Sequence, residues 1–147
     1  MSAIEALHNR VHVILAKHFG VTSADKHGEF KIQNESAHVF VSIDHGFGSQ
    51  GLVIKVNCPM VTRVPLSAEL FRWISVEGRN FPLGGVYLIP HANGTHGEIW
   101  FGHNFVADDL DEKELLGSLY PILVFANDLD DQLAHRFGGQ LFQGEQK

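Results

Sequence analysis

Apolar residues recur along this chain with two different periods, and each period predicts a kind of element. Ile4, Leu7, Val11, Ile14, Leu15, His18 and Phe19 share one stripe at helical spacing, and Gly20 follows where a helix closes, so residues 2–19 read as an amphipathic helix. Period two then takes over. Phe30 and Ile32 alternate with Glu29, Lys31 and Gln33; Val39, Val41 and Ile43 with His38, Ser42 and Asp44; Leu52, Ile54, Val56, Cys58 and Met60 with Lys55 and Asn57. These are three half-buried strands, and the short Asn-, Ser- and Gly-rich connections between them predict an antiparallel meander. Pro65 closes the third strand, and Ser67-Ala68-Glu69 opens a short helix with Leu70, Phe71 and Ile74 on its apolar side and Gly78 at its end. Strands over Val86–Ile89 and Glu98–Phe105 flank the turn-rich segment from Pro90 to Thr95 and predict a second hairpin.

The longest signal runs from Asp108 to Gly139. Asp111 to Glu114 has the form of a capping box, and Leu115, Leu119, Ile122, Ala126, Leu129, Leu133 and Phe137 recur at four- and three-residue steps, widened by Leu116 and Leu123. Asn127, Asp128, Asp130, Asp131 and Gln132 then fall on the wet side. On that phase Leu129→Ala costs about 2–5 kcal/mol and Asp130→Ala less than roughly 0.5. His135, Arg136 and Gly138-Gly139 end the helix. Pro121 sits inside it, four residues after Gly117, where a glycine leaves the backbone room to bend; a break into two helices is the alternative.

Composition narrows the picture without redirecting it. A chain of 147 residues fits one domain, here 1–139 with a C-terminal tail over 140–147. A net charge of −6 without a basic cluster argues against nucleic acid or an anionic membrane as the main partner. No apolar run is long enough to span a bilayer or form a signal peptide, which points to the cytoplasm. The single Cys58 excludes an internal disulfide and lies in an alternating apolar run, as a core residue does.

The element order, together with Asn80-Phe81-Pro82-Leu83-Gly84-Gly85-Val86-Tyr87-Leu88, Glu98-Ile99-Trp100-Phe101-Gly102-His103, and Leu129-Asp130-Asp131-Gln132-Leu133 leading to Phe137-Gly138-Gly139, resembles the YbjN-like family of bacterial sensory transduction regulators, whose domain shares the fold of type III secretion chaperones. The order covers nearly the whole chain and the motifs only its second half. The resemblance implies a small, dimeric, non-enzymatic module that holds or senses another protein, with no catalytic residues to carry over.

Candidate chemistry is thin beside this. Gly46-Phe47-Gly48-Ser49-Gln50-Gly51 fits the letter of a phosphate-cradling loop, yet a strand follows it where that chemistry needs a helix N-terminus, and Phe47 stands where a nucleophile elbow around Ser49 needs glycine. His8 and His12 stand one helical turn apart, and His91, His96 and His103 cluster around the second hairpin, close in sequence to Glu98 and Asp108. Convergence of those histidines on an acid would mark a metal-dependent or small-ligand enzyme. Asn34-Glu35-Ser36 and Asn93-Gly94-Thr95 match glycosylation sequons and, without a secretion signal, read as turns.

Phe40, Trp100 and Tyr87 are more informative, because they alternate onto the face opposite Val41, Phe101 and Leu88, while Trp73 falls off the apolar side of the short helix. Either the short helix covers them, or they form a surface for a partner or a second copy. The expectation is therefore an α+β domain of order α-β-β-β-α-β-β-α, with a five-stranded, largely antiparallel sheet and both terminal helices on one face. Its expected role is non-enzymatic protein or peptide binding, regulatory or chaperone-like, as a homodimer and without metal or cofactor, with Trp73, Phe40, Tyr87 and Trp100 as interface candidates.

Overall fold

The computed structural model describes residues 2–46 and 51–144. Helix α1 (Ala3–Phe19) is followed by strands β1 (Phe30–Asn34), β2 (Ala37–His45) and β3 (Leu52–Pro65), helix α2 (Ala68–Glu77), strands β4 (Gly85–Pro90) and β5 (His96–Val106), helix α3 (Glu112–Phe137) and a two-residue strand β6 (Gln140–Leu141). The sheet runs in the order β1-β2-β3-β5-β4, every pairing is antiparallel, and β6 adds to β3. The α+β architecture expected from the sequence is present, with six strands in place of five. The sixth follows Gly138-Gly139, where no periodicity announces a strand.

Each helix starts where its cap demands. Ser2 Oγ accepts from Glu5 N–H, Ser67 Oγ from Leu70 N–H, and Asp111 Oδ1 from Glu114 N–H, so each side chain satisfies a donor that the first turn leaves without a partner. Pro121 lies within one continuous α3. His18 and Lys17, in the last turn of α1, meet Glu112 in the first turn of α3 at 2.6 and 3.2 Å, and the His18 hydrogen bond, then Lys17, hold the Glu112 carboxyl below its ordinary range.

All three helices lie on one face of the sheet. Phe30, Val41 and Val56 are cross-strand partners in one buried row, and Cys58 and Phe101 in the next. His8 and His12 of α1 lie against Phe30 with ring centroids 4.7 and 5.5 Å away, and Phe125 of α3 reaches Phe101 at 5.9 Å. Phe81, in the segment leading out of α2, meets Phe101 edge-on, Leu70 is fully buried, and the Trp73 ring lies tilted against Phe137 of α3 at 6.0 Å. The short helix therefore buries Leu70 on the core side, ends at the β4 edge, where Val86 N–H donates to Gly78 O, and leaves the opposite face of the sheet uncovered away from that edge. His12 Nε2 donates to Thr22 O, and burial pushes the Cys58 thiol up to about 12, so these groups are structural.

The phase of α3 differs from the expectation in its last third. Its buried residues are Leu115, Leu119, Ile122, Leu123, Ala126, Asp130 and Leu133, whereas Leu129 is only half-buried. Asp130 is 2 % exposed and belongs to the core side, not the wet side. It accepts a 2.6 Å bond from Ser36 Oγ–H, while the neighbouring Asn127 Oδ1 accepts from Ala37 N–H at 2.9 Å. The two polar side chains, three residues apart on α3, thus clamp the β1–β2 turn, where Glu35 takes φ 54°.

Burial raises the Asp130 pKa, and its hydrogen bonds from Ser36 and Asp131 N–H offset this only in part. A folded-state pKa above the unfolded value means that stability is highest with the group protonated and falls as pH rises from the ordinary carboxylate range through the raised value. Asp130→Asn keeps the shape, can donate to Ser36 Oγ and carries no charge. We expect it to be more stable than the parent by about 1 kcal/mol at pH 7, with the advantage vanishing toward pH 3. Urea midpoints of both chains across that range check this; an advantage that shrinks with rising pH would show that the carboxylate is stabilised in place.

Candidate functional site

The uncovered face carries two cross-strand rows. Lys31, Phe40, Asn57 and Gly102 are consecutive partners across β1, β2, β3 and β5, and Pro59, Trp100 and Tyr87 are partners across β3, β5 and β4. Period two puts all of them outward wherever Val41, Val56, Cys58 and Phe101 point inward. Three of the four aromatic candidates, Phe40, Tyr87 and Trp100, are therefore brought together here. Trp73 is not among them; its ring lies against Phe137 on the helical side, near Val76, which is exposed on α2.

Specific contacts fix the rings. Tyr87 and Trp100 lie 6.3 Å apart, and the Tyr87 hydroxyl donates to Asn57 Oδ1 at 3.0 Å. The Tyr87 ring crosses over Gly102 so closely that a Cβ there would be 2.7 Å from it, so the absent side chain is what lets the tyrosine lie flat on the sheet. Burial also raises the Tyr87 pKa, which keeps the hydroxyl a donor. Trp100 Nε1–H donates to Glu98 Oε1 at 2.9 Å, and His91 Nε2 stands 3.3 Å from the other oxygen of the same carboxylate. With its polar edge engaged, Trp100 offers its apolar face outward.

Phe142, which the sequence did not single out, completes the surface. Beyond β6 its N–H donates to Met60 O, and its ring meets His38 edge-on at 5.2 Å and Phe40 at 6.2 Å. His38 is buried beneath it, and burial, with a smaller contribution from Lys31, lowers its pKa, so the imidazole is neutral at pH 7. Between Phe40, Pro59 and Trp100 on the floor, Phe142 along one wall and His91, Glu98, Lys26 and Arg63 on the rim lies a groove of about 670 Å³. That volume suits several residues of an extended peptide, and its mixture of aromatic floor and polar rim is what a binding cleft requires. A second depression beside Tyr87 and Gly84 is bounded on one side by Ile74, Ser75 and Arg79 at the end of α2.

The histidines do not converge. His91 bonds Glu98, His96 Nδ1 stands 2.8 Å from Thr95 Oγ1, and His103 stacks on Phe105; Asp108 instead accepts from Leu52 N–H. Among the described residues no group of three or more metal-ligating side chains is assembled. The glycine loop after β2 is closed by Gly46 N–H to Gly51 O and hands over to β3, not to a helix; its residues 47–50 lie outside the described residues. Both sequons are turns: Asn93 Oδ1 accepts from Thr95 N–H ahead of Gly94 at φ 73°, and Asn34 precedes the Glu35 turn.

The chain is thus a small α+β domain whose antiparallel sheet is backed by helices on one face and carries an aromatic groove on the other. Residues 5–145 match the family described as T3SS (YopN, CesT) and YbjN peptide-binding chaperone 1, and the chain belongs to that family. No curated protein matches the sequence significantly. No helix among the described residues is long and apolar enough to cross a membrane.

Proposed function

We propose that this protein is a non-enzymatic chaperone-like or regulatory module that holds an extended segment of another protein in the groove floored by Phe40, Pro59 and Trp100. The observation that supports it is the groove itself: an aromatic floor on the one sheet face that carries no helix, with Trp100 oriented by Glu98. Aromatic anchors of this kind carry a large share of interface energy. Dodecapeptides selected by phage display on the immobilised chain should be rich in aromatic residues and leucine, and should bind Trp100→Ala at least about tenfold more weakly by calorimetry. Selected peptides that bind parent and variant alike would place the site elsewhere.

The same reading includes self-association, for which Val76, exposed beside Trp73 on α2, supplies an apolar contact. Light scattering of the parent at micromolar concentration should give twice the chain mass; the mass of a single chain would remove the dimer from the proposal.

A further inference from the structure

Strand β6 already sits at one wall of the groove. Pairing between β2 and β3 ends at Phe40 and Asn57; two residues on, Pro59 has no N–H to give a ladder, and the register of β3 shifts between Pro59 and Val61. The β3 edge beyond that point is taken by the chain's own segment: Val61 pairs with Leu141, Thr62 with Gln140, and Met60 O accepts from Phe142 N–H. The segment reaches this edge through Gly138 and Gly139 at φ 87° and 94°, and a Cβ on Gly139 would stand 2.6 Å from Thr62 O, so the route from the helical layer to the outer face depends on glycine. Its hold is slight. Two ladder positions, one further backbone bond, the Thr62 Oγ1–H bond to Gln140 O at 3.4 Å and the Phe142 ring on His38 and Phe40 are far fewer contacts than the fourteen-residue β3 makes with β5.

We infer that Gln140–Phe142 holds the place of a client strand on the β3 edge at the groove wall, and that the clients are extended segments bearing an aromatic residue, which replace it strand for strand there and run on into the groove. This rests on the outer face being the binding site. An incoming strand would make the same bonds to Met60 and Thr62 and seat its aromatic ring between His38 and Phe40, the mode in which backbone bonds give affinity and alternate side chains give specificity. Tethered in cis, β6 acts at an effective concentration that a free client must exceed, so the segment sets a threshold for capture.

A fluorescein-labelled peptide Gly-Gly-Gln-Leu-Phe-Gln-Gly, copying residues 138–144, tests this with the full chain. By anisotropy it should bind the Phe142→Ala chain at least about tenfold more tightly than the parent, and the same peptide with alanine for phenylalanine should bind neither. Circular dichroism controls for folding, and Leu141→Ser repeats the measurement on a second residue of the segment. Equal binding to parent and variants, or no binding to the variants, overturns the inference. If the display-selected peptides still depend on Trp100 in that case, the groove stands and only the place-holding strand falls; if they ignore Trp100, the groove itself is wrong.

Discussion

Phe101→Ala should cost this domain about 3–5 kcal/mol, the largest loss we expect from any single truncation. Phe101 is fully buried at the centre of β5, paired with Cys58 on one side and Val86 on the other. Its ring is met edge-on by Phe81 at 5.1 Å and tilted by Phe125 at 5.9 Å, and those two rings also touch each other at 5.6 Å. Three elements thus converge on one side chain: the sheet, the segment after α2, and α3. Backbone pairing holds β5 in place on both sides, so the walls of the resulting cavity cannot collapse and its cost adds to the lost transfer energy. A domain of this size has about 5–15 kcal/mol in total, so the variant would keep only part of it. Urea unfolding followed by circular dichroism should show a lower midpoint at an unchanged slope; a loss under about 1 kcal/mol would mean that the ring triad does not join the three elements.

Most of this framework was legible because the sheet is wet on one face. An antiparallel sheet with helices on one side writes a strict alternation, and the strands around Val41, Val56 and Phe101 obey it closely enough to place Phe40 and Trp100 on the other face. The sequence left open what covers that face, because Leu70, Phe71 and Ile74 describe an apolar helix side without saying which layer it joins. Leu70 in the core and Trp73 on Phe137 answer that question.

Two features were illegible for definite reasons. Asp130 was placed in water because a carboxylate on a helix is almost always solvated. The steps from Ala126 to Asp130 to Leu133 are nonetheless as helical as those through Leu129, but the partner that the buried carboxylate needs is Ser36, which is distant in sequence and lies in the β1–β2 turn. β6 has only two residues, too few for any period, and what locates it is the unpaired β3 edge beyond Pro59, a property of the register and not of the local sequence. Phe142, the aromatic residue the site gains by it, could be found only through that edge.

Gly84→Ala is the second large effect, and it separates a backbone requirement from ordinary helix propensity. Gly84 takes φ +70°, and a Cβ built there would stand 2.6 Å from Gly102 O and 2.8 Å from the Phe101 ring. The first neighbour is backbone in the adjacent strand and the second is the ring on which the core converges, so neither can give way cheaply. Left-handed strain and overpacking act together, and we expect a loss of about 2–4 kcal/mol. Because Gly84 leads into β4, whose Tyr87 lies over Gly102, the shift should also disturb the outer face and weaken peptide binding along with stability. Gly117 is the matched control: it lies within α3, a Cβ there meets nothing within 4 Å, and Gly117→Ala should stabilise the chain by about 0.5–1 kcal/mol through lower unfolded-state entropy. Thermal midpoints of the two variants should therefore move in opposite directions from the parent. If both rise, the turn into β4 tolerates a side chain, and the glycine pair at positions 84 and 85 is not what holds Tyr87 over the sheet.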